Sequence, residues 1–312
     1  MSIPTTRAKE NAVISIDHAI CTGCGRCVSV CSDYSLVIEN NKCVQSKNPS
    51  FGCIGCGHCM AICPTGAIQI HGRTISPDDI SDLPPKEETA DYNQILAMLQ
   101  RRRSMRKFKD KPVHPGIIEK ILNAARTAPM GLPPSDVHVL VLDSKEKTRA
   151  FAEDFCRHME EMKWFVSGWF LFLMRPFWGK STDELFRGFV KPLFRIYTES
   201  MRDGNNLVNY DAPLAMYFYG SPYTDPADPV VAATYAMIAG ESLGLGTCML
   251  GAVHPMIQNG KRAEKLRRKY EIRHKSREGL FIIFGYPAFT YRKGIRRSFA
   301  EVNEYQQKYF QN

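Results

Sequence analysis

The sequence predicts an α+β protein in two parts, a small cysteine-rich module followed by a larger layered domain. Nine of its eleven cysteines lie between positions 21 and 63, and this concentration indicates a metal-binding module. The rest of the chain alternates amphipathic helices with short apolar strands. At roughly 150 residues per domain, 312 residues fit one large or two domains and can bury a core without disulfides.

The composition argues against a disordered, membrane-spanning or secreted chain. Hydrophobic residues make up 44% and charged residues 23%, so the chain has enough apolar surface for a folded core. The longest stretch dense in apolar residues, 164–174, is shorter than the about 20 residues that a spanning helix needs. The N-terminal sequence MSIPTTRAKENAV lacks the apolar region of a secretory signal. We therefore expect a cytoplasmic protein with reduced cysteines.

A four-cysteine motif occurs twice near the N-terminus. Both copies follow the spacing C-x2-C-x2-C-x3-C, and each cysteine of the first copy recurs 32 residues later. Thiolates are soft, strongly donating ligands that suit iron, and the interspersed glycines let the backbone fold tightly around a cluster. The copies are Cys21, Cys24, Cys27 and Cys31, then Cys53, Cys56, Cys59 and Cys63.

This doubled spacing resembles that of bacterial two-cluster ferredoxins, and the resemblance covers residues 12–72. In that pattern the fourth cysteine of each motif serves the other cluster. The resemblance therefore implies two [4Fe-4S] clusters whose ligands are exchanged between the motifs. The first would be held by Cys21, Cys24, Cys27 and Cys63, and the second by Cys53, Cys56, Cys59 and Cys31.

Two zinc sites are the alternative for these cysteines. Zinc modules usually pair two C-x2-C hooks across a longer gap, whereas each copy here places four cysteines in eleven residues. The pattern therefore favours iron. Cys43 fits neither copy, and we expect a small buried residue of the intervening hairpin there.

The remainder of the chain divides into a linker and a second domain. Residues 73–91 are acidic, contain three prolines and lack apolar periodicity, so they predict a linker. Residues 92–312 form the predicted α+β domain. Its predicted elements are helices over 92–102, 115–127 and 229–243 and strands over 137–142, 212–219 and 280–284.

Four motifs of the second domain resemble those of the nitroreductase family, in family order. They are R-R-S-M-R-K-F at 102–108, A-A-R-T-A-P at 124–129, E-S-L-G-L-G-T-C at 241–248 and G-Y-P at 285–287, the last followed by a basic cluster. The resemblance implies a nitroreductase-like fold that binds FMN, in a homodimer with the flavin at the dimer interface. It points to the branch of the family that carries an N-terminal ferredoxin.

The basic residues of the first and last motifs are candidates for binding the FMN phosphate. A phosphate dianion suits bidentate guanidinium groups and a hydroxyl donor. A solvated basic face or a nucleic-acid patch is the alternative for the basic run, but the family motifs favour phosphate, and we expect no nucleic-acid partner. The candidates are Arg102, Arg103, Ser104 and Arg106, with Lys293, Arg296 and Arg297 from the far end of the chain.

Two further segments are predicted to line the flavin ring. Gly244, Leu245 and Gly246 would let the backbone approach a flat ring and donate hydrogen bonds to it. The loop Pro129, Met130, Gly131 and Leu132 would contact the flavin through backbone and apolar groups. Many family members have asparagine and glutamine where this chain has Pro133 and Ser135, so fewer polar contacts are expected here.

An apolar insert, at about 160–203, has no counterpart in the common core of the family. It holds all three tryptophans of the chain. Three interpretations stay open: a lid over an apolar substrate pocket, a dimer interface or plain core, and contact with a membrane surface through apolar rings flanked by basic residues. A lid would predict a bulky, unsaturated or aromatic substrate.

Together these features predict an FMN-dependent iron–sulfur oxidoreductase. Electrons from a low-potential donor, an external ferredoxin, would pass through the clusters to FMN and on to a small organic acceptor of the nitro, quinone or activated C=C type. NAD(P)H is a less favoured immediate donor, because the fused cysteine module suggests entry of electrons through the clusters. No Rossmann G-x-G-x-x-G follows a strand, although members of the resembled family bind nicotinamides without one. Oxygen-sensitive clusters suggest an anaerobic setting. No catalytic acid or base is assigned.

Two other function classes share these motifs. One is an electron-transfer or redox-sensing protein without turnover, and the other is an FMN dehydrogenase that runs electrons outward to ferredoxin. The net charge does not favour a polyanionic partner. The formal charge is +9, and two clusters at about −2 each with a phosphate near −2 would lower it to about +3.

Overall fold

The computed structural model describes residues 10–31, 34–131, 133, 135–259 and 262–303. Within them the chain forms a small module with two two-stranded sheets and a larger domain with one four-stranded sheet. The predicted α+β class is confirmed. None of the helices in the described part of the chain combines the length and the apolar character needed to cross a membrane.

The cysteine-rich module repeats a strand, a cysteine loop and a one-turn helix. Its first and last strands pair antiparallel, and its middle strands form a hairpin that turns at Asn40 and Asn41. Both turn residues have positive φ, as a two-residue hairpin turn requires. Leu36, Cys43 and Ile70 are buried in its core. The elements are β1 Val13–Ile16, α1 Arg26–Ser29, β2 Leu36–Glu39, β3 Lys42–Gln45, α2 His58–Ile62 and β4 Ile68–His71.

Residues 73–91, which the sequence predicts as a linker, form two short 3-10 turns at Pro77–Asp79 and Lys86–Glu88. A capping box closes the first turn, because the Ser76 hydroxyl accepts from the Asp78 N–H while Asp79 accepts from the Ser76 N–H. Most of the segment is exposed, but Arg73 at its start is buried.

The larger domain is built on an antiparallel sheet with strand order β5-β6-β8-β7. The two inner strands, β6 and β8, are buried on both faces, so their sequences are nearly continuous apolar runs. Residues alternate between two cores, with Tyr217 and Phe281 facing one and Phe218 and Ile282 facing the other. The strands are β5 Val137–Leu142, β6 Leu214–Gly220, β7 Gly246–Leu250 and β8 Gly279–Gly285.

Helices cover both faces of this sheet. One face packs against α4 and α8, and the other packs against α5, α7, α9 and α10. The helix α3 has no buried residue. The helices are α3 Tyr92–Arg101, α4 Pro115–Arg126, α5 Lys145–Glu161, α6 Gly168–Leu185, α7 Lys191–Arg202, α8 Ala227–Ser242, α9 Val253–Gln258 and α10 Ala263–Lys269.

The insert at 160–203 is helical. It comprises the end of α5, a 3-10 turn at Lys163–Val166, α6, a π-helical turn at Phe186–Val190, and α7. Gly179 breaks α6 with non-helical backbone angles, φ 71° and ψ 171°. Val166 and Phe194 anchor the insert in the core beside α5.

The predicted elements of the larger domain agree with the structure to within two residues at each end. The strand β7 and the helices α5, α6, α7, α9 and α10 are absent from the prediction. Where the sequence predicts glycine backbone against a flat ring, Gly246–Leu250 pairs along its whole length with β8. Its central Cys248 is buried in the core, which explains how a segment that begins with glycine holds a strand conformation.

Candidate functional site

The cysteine-rich module contains two small cavities, and the first is bounded by cysteines of both motifs. Cys21, Cys24, Cys27 and Cys63 line it, together with Cys43. The sulfur of Cys63 accepts a hydrogen bond from the Ala67 N–H at 3.3 Å. The fourth cysteine of the second motif is therefore placed beside the first three of the first motif.

The second cavity has the reciprocal arrangement. Cys53, Cys56 and Cys59 line it with Cys31. The Cys53 carbonyl accepts from the Ala12 N–H at 2.9 Å, which fixes the cysteine loop against the first strand. The structure thus groups the eight cysteines in the same two sets of four that the sequence predicts as ligand sets.

Glycine backbone shapes both cysteine loops. Gly25 and Gly57 cap the two short helices with left-handed angles, φ 75° in each case. A Cβ atom at Gly23 would lie 2.1 Å from the Asn41 carbonyl oxygen, so the first loop can approach the hairpin only with glycine there. The loops therefore wrap closely around each cavity.

The donor set of each cavity fits an iron–sulfur cluster. A cubane distributes four thiolates over four irons, so its cysteines must surround a cavity instead of converging on one point. The two groups of four cysteines have this arrangement.

Cys43 lies on the wall of the first cavity, although it belongs to neither motif. Its thiol is 3.4 Å from the Cys27 sulfur, and its backbone N–H donates to the Cys21 sulfur at 3.4 Å. The residue is 1% exposed, as predicted for a small buried side chain of the hairpin. Its N–H is placed to stabilise a thiolate at Cys21.

The larger domain holds an open cavity of about 1350 Å³ between α3, the start of β7 and the C-terminal segment. A Cβ atom at Gly294 would lie 2.7 Å from Nη2 of Arg103, so the two basic segments meet at this wall. Most of the predicted flavin residues line the cavity. They are Arg102, Arg103, Gly244, Leu245, Gly246, Lys293, Arg296 and Arg297.

The wall of this basic cavity combines basic side chains with close-packed backbone. A Cβ atom at Gly246 would lie 2.8 Å from the Met105 side chain, so the strand can pass Met105 only with glycine at this position. The basic side chains of the wall suit a phosphate dianion, and the Gly244–Gly246 backbone suits a flat ring. These residues fit FMN.

One carboxylate, Glu241, stands in the same wall. Its Oε1 accepts from the Thr247 hydroxyl at 2.6 Å and from the Thr247 N–H at 3.1 Å. Burial raises the pKa of this carboxyl above its ordinary value, while Thr247 and Arg102 oppose the rise. Glu241 therefore ties the end of α8 to the start of β7 at the cavity edge.

Ser104 and Arg106 do not line this cavity. Arg102, Arg103 and Met105 of the same segment do line it. Ser104 pairs with Thr247 in a parallel bridge. The Arg106 guanidinium lies over the Tyr210 ring, 5.9 Å from its centroid.

The predicted flavin loop lies at another cavity, of about 360 Å³, between α4, β5 and α8. Pro129 and Met130 line it, and the Gly131 N–H donates to Oδ1 of Asp228 at 2.9 Å. Burial raises the pKa of Asp228. Leu132 lies outside the described residues. In the single chain, this loop and the basic cavity are therefore lined by separate sets of residues.

Arg73 joins the module to the larger domain. Its Nη1 donates to the Glu10 carbonyl at 2.6 Å, and its Nη2 donates to the Pro133 carbonyl at 2.9 Å. A Cβ atom at Gly55 would be 3.4 Å from the Cβ of Arg73, which places Arg73 against the cysteine loop of the second cavity. Its side chain therefore spans from that loop to the 129–133 loop.

None of the described histidines lines the basic cavity. His254 is buried, with Nδ1 2.8 Å from the Tyr217 hydroxyl and Nε2 3.2 Å from the Arg277 carbonyl. Burial lowers its pKa. His138 stacks on Tyr219. The sequence assigns none of these residues a catalytic role, and the geometry adds none.

Three residues at these cavities are not singled out by sequence reasoning. Met105 and Glu241 lie within the family motifs, and both line the basic cavity. Asp228 meets Gly131 across 97 residues of chain, and no local sequence signal predicts that contact.

The module and the domain both match known families. The family described as "Nitroreductase family" matches residues 99–286, and the "4Fe-4S dicluster domain" matches residues 13–64. Fold and site thus define an oxidoreductase with an iron–sulfur domain. Because the first match spans more than half of the chain, this protein belongs to the nitroreductase family, as the sequence motifs predict. None of the curated proteins compared with it matches.

Solved structures share this fold. A nitroreductase with bound FMN from Bacteroides fragilis has 16% identity and a TM-score of 0.50, and the match covers 68% of this chain and 100% of that one. An FMN-dependent nitroreductase from Clostridium difficile has 15% identity and a TM-score of 0.47, covering 69% and 100%. At this identity the first match supports the fold of the larger domain.

Proposed function

We propose that this protein passes electrons from a low-potential donor, an external ferredoxin, through two [4Fe-4S] clusters to FMN and on to an organic acceptor of the nitro, quinone or activated C=C type. The observation that carries the proposal is the position of Arg73. Its Cβ lies against Gly55 in the loop of the second four-cysteine cavity, and its guanidinium donates to the Pro133 carbonyl of the nitroreductase domain. The cysteine-rich module and the flavin domain are therefore in direct contact, as electron transfer between them requires.

Each part of the chain has a distinct task in this proposal. When bound, the clusters would supply electrons one at a time, and FMN would release them in pairs. The eight motif cysteines would hold the iron. Arg103 and Lys293 would neutralise the phosphate, and the Gly246 backbone suits a flat ring. The second cavity borders the loop that contacts Arg73, so its cluster would pass electrons to the flavin domain. The cluster of the first cavity would then accept electrons from the external donor.

The proposal includes a homodimer. The helix α3 carries an exposed apolar stripe of Tyr92, Ile95 and Leu99, which are 74%, 44% and 45% exposed. Their spacing places them on one side of the helix, and Leu99 also lines the basic cavity. A second copy that covers this stripe would close the cavity and bring its own 129–133 loop toward the ring. The substrate would then reach the flavin from a partly apolar side.

The decisive experiment is anaerobic purification with iron, sulfide and flavin counts, followed by photoreduction. The proposal expects about eight irons, eight sulfides and one FMN per chain, with flavin bleaching after cluster reduction. Steady-state assays with reduced ferredoxin and nitro, quinone and enone acceptors then measure turnover. The variant Cys56→Ser should lose iron and donor-driven turnover, whereas Cys156→Ser, a buried cysteine outside the module, should retain both.

Each outcome separates the proposal from its alternatives. Full cofactor content with reducible flavin but no turnover on any acceptor class would indicate an electron carrier or sensor. Reduction of added ferredoxin by a saturated substrate, with no reaction in the other direction, would indicate an outward-running dehydrogenase. Zinc in place of iron, or absence of flavin, would overturn the proposal as a whole.

A further inference from the structure

The wall of the first cysteine cavity contains a thiol that belongs to neither motif. The Cys43 thiol lies 3.4 Å from the Cys27 sulfur, and the Cys43 N–H donates to the Cys21 sulfur at 3.4 Å. Cys27 and Cys21 are both predicted ligands of the first cluster. A ligand sulfur carries no proton, so the hydrogen between Cys27 and Cys43 can come only from Cys43. This one residue can therefore donate to two ligands of the same cluster.

The internal repeat provides a comparison for position 43. Cys43 faces Ile38 across the β2–β3 hairpin, and Ile14 faces Ile70 across the β1–β4 pair. Ile38 and Ile70 lie 32 residues apart, which is also the separation of the two cysteine motifs. Ile14 therefore occupies at the second cavity the place that Cys43 occupies at the first.

The two halves of the module differ in hydrogen bonding at this place. Cys43 lines the first cavity with Ile38, and Ile14 lines the second cavity with Ile70. The isoleucine side chain has no donor, whereas a thiol has one. Because Ile14 forms part of the second cavity wall, an aliphatic side chain is compatible with the fold at this place. The thiol of Cys43 therefore adds to the first cavity a donor that packing alone does not require.

The hairpin holds Cys43 against the cysteine loop. Nζ of Lys42 donates to the Cys21 carbonyl at 2.6 Å, which ties the loop to the strand that carries Cys43. A Cβ atom at Gly23 would overlap the Asn41 carbonyl oxygen, so the loop also lies close against the turn of the hairpin. Cys43 is 1% exposed, so water does not compete for its thiol. Both contacts of Cys43 with ligand sulfurs are therefore held in place before any electron arrives.

A donor to a ligand sulfur favours the reduced form of an iron–sulfur cluster. Reduction adds one electron from the external donor and makes or breaks no bond, so the negative charge of the cluster with its four thiolates grows by one unit. Hydrogen bonds to the sulfurs stabilise the added charge and are among the features that set the reduction potential. The stabilisation is larger in a buried site, because the local dielectric is low.

We propose that Cys43 raises the reduction potential of the first cluster by donating its S–H to the Cys27 thiolate. This inference rests on the proposed function, because it requires a [4Fe-4S] cluster at the first cavity. In that function the first cluster accepts electrons from the external donor, and a higher potential there favours their uptake. Cys43 acts through the ligand sulfur, as a positioning residue and not as a ligand.

The test is a redox titration of the anaerobically purified holoprotein, followed by EPR and visible spectra. Iron and sulfide are counted in the same samples. The variant Cys43→Ala should keep its iron while half of the cluster signal, the share of one of two clusters, becomes harder to reduce. At a fixed potential the ratio of reduced to oxidised first cluster should fall about three- to tenfold, as expected for the loss of a weak hydrogen bond.

Three further variants separate the hydrogen bond from packing. Cys43→Val fills the place with an aliphatic side chain, as Ile14 does in the other half, and should lower the potential as alanine does without leaving a cavity. Cys43→Ser keeps a donor and should stay close to the wild-type potential. Cys156→Ser removes a buried thiol outside the module and should change the potential of neither cluster.

Two results would overturn the proposal. The first is an unchanged cluster potential in both Cys43→Ala and Cys43→Val with full iron content. The second is an equal fall in Cys43→Ser and Cys43→Ala, which would assign the effect to packing. Because the titration needs no acceptor and no turnover, either result leaves the proposed electron-transfer function standing. Absence of a reducible cluster in the wild-type protein would instead overturn the proposed function, and this inference with it.

Discussion

Nη2 of Arg73 in the cysteine-rich module donates a hydrogen bond to the Pro133 carbonyl of the larger domain at 2.9 Å. The same guanidinium donates to the Glu10 carbonyl at 2.6 Å. One side chain therefore connects the segment that precedes β1 to the 129–133 loop. A planar guanidinium can donate in two directions at once, and a lysine cannot reproduce that geometry. The side chain belongs to a residue that is 9% exposed, so water does not readily substitute for it.

The variant Arg73→Lys should loosen the module from the domain without removing either cofactor. A hydrogen bond from a charged donor is worth about 1.5–3 kcal/mol, and one of the two would be lost. We expect slower flavin bleaching after photoreduction of the clusters and faster hydrogen exchange in residues 129–135, with unchanged iron and FMN. Arg268→Lys, at an 80% exposed arginine, is the matched control. An unchanged bleaching rate would show that Arg73 has no part in electron transfer.

The variants Cys43→Ala and Cys27→Ala should differ sharply although the two sulfurs are 3.4 Å apart. Cys27 is a predicted ligand, so its loss should remove about half of the iron, the share of one of two clusters. Cys43→Ala should retain full iron, because its backbone N–H to Cys21 is preserved, at a cost of about 1 kcal/mol for the lost packing. Iron and sulfide analysis distinguishes the variants. Equal losses of iron would make Cys43 a ligand.

The variant Arg103→Gln should weaken FMN binding about 10- to 100-fold. A charged donor to the phosphate contributes about 1.5–3 kcal/mol, and the side chain lies where the C-terminal segment meets α3. Fluorescence titration of flavin-depleted protein with FMN measures the change.

The variant Arg106→Gln tests whether the phosphate site extends beyond the basic cavity. Its guanidinium lies over Tyr210 and off the cavity wall. A flavin confined to the cavity should bind this variant with nearly wild-type affinity. A loss as large as that of Arg103→Gln would mean that the phosphate is held on the Tyr210 side of the extended segment.

The variant Glu241→Gln should raise the stability of the nitroreductase domain at neutral pH. Burial raises the pKa of Glu241, so the folded chain holds this proton more tightly than the unfolded chain does. The stability linked to this group is complete below its unfolded pKa and is lost as the pH rises through the folded pKa. Glutamine keeps an oxygen that accepts a hydrogen bond from Thr247. Because glutamine does not ionise, the variant should not lose stability in this way as the pH rises.

Thermal unfolding of the anaerobic holoprotein at several pH values checks this prediction. The variant should exceed the wild type most at high pH, and the difference should narrow as the pH falls toward the ordinary pKa of a glutamate. Glu119→Gln, at a 57% exposed glutamate of α4, should show no comparable difference. A wild-type advantage at neutral pH would contradict the expected direction.

Short-range spacing makes the cysteine sites predictable from the sequence. Each motif fixes three sulfurs within seven residues, and the duplication supplies the fourth, so the structure groups Cys63 and Cys31 as predicted. The strand β7 is not predictable in the same way. It begins with Gly246, which disfavours a strand by local preference, and pairing with β8 holds it in that conformation.

The flavin residues are only partly predictable for a related reason. A motif shows which residues are present but not which of them line a cavity. Arg103 lines the basic cavity, whereas the Arg106 guanidinium lies over the Tyr210 ring. The contact of Gly131 with Asp228 depends on how α8 packs against the loop, and it has no local signal. A site shared between two copies would also leave no complete pattern in one chain.

The exchange of the fourth cysteine between the two cavities has a consequence for the history of the module. Neither repeat encloses a cavity alone, because Cys31 and Cys63 each complete the other repeat's wall. A single-copy ancestor with this loop would have had to assemble as a pair of identical chains to surround its metal groups. In the tandem module the two copies are covalently linked, so they need not associate as separate chains. Half of the present module should therefore be unable to retain iron by itself.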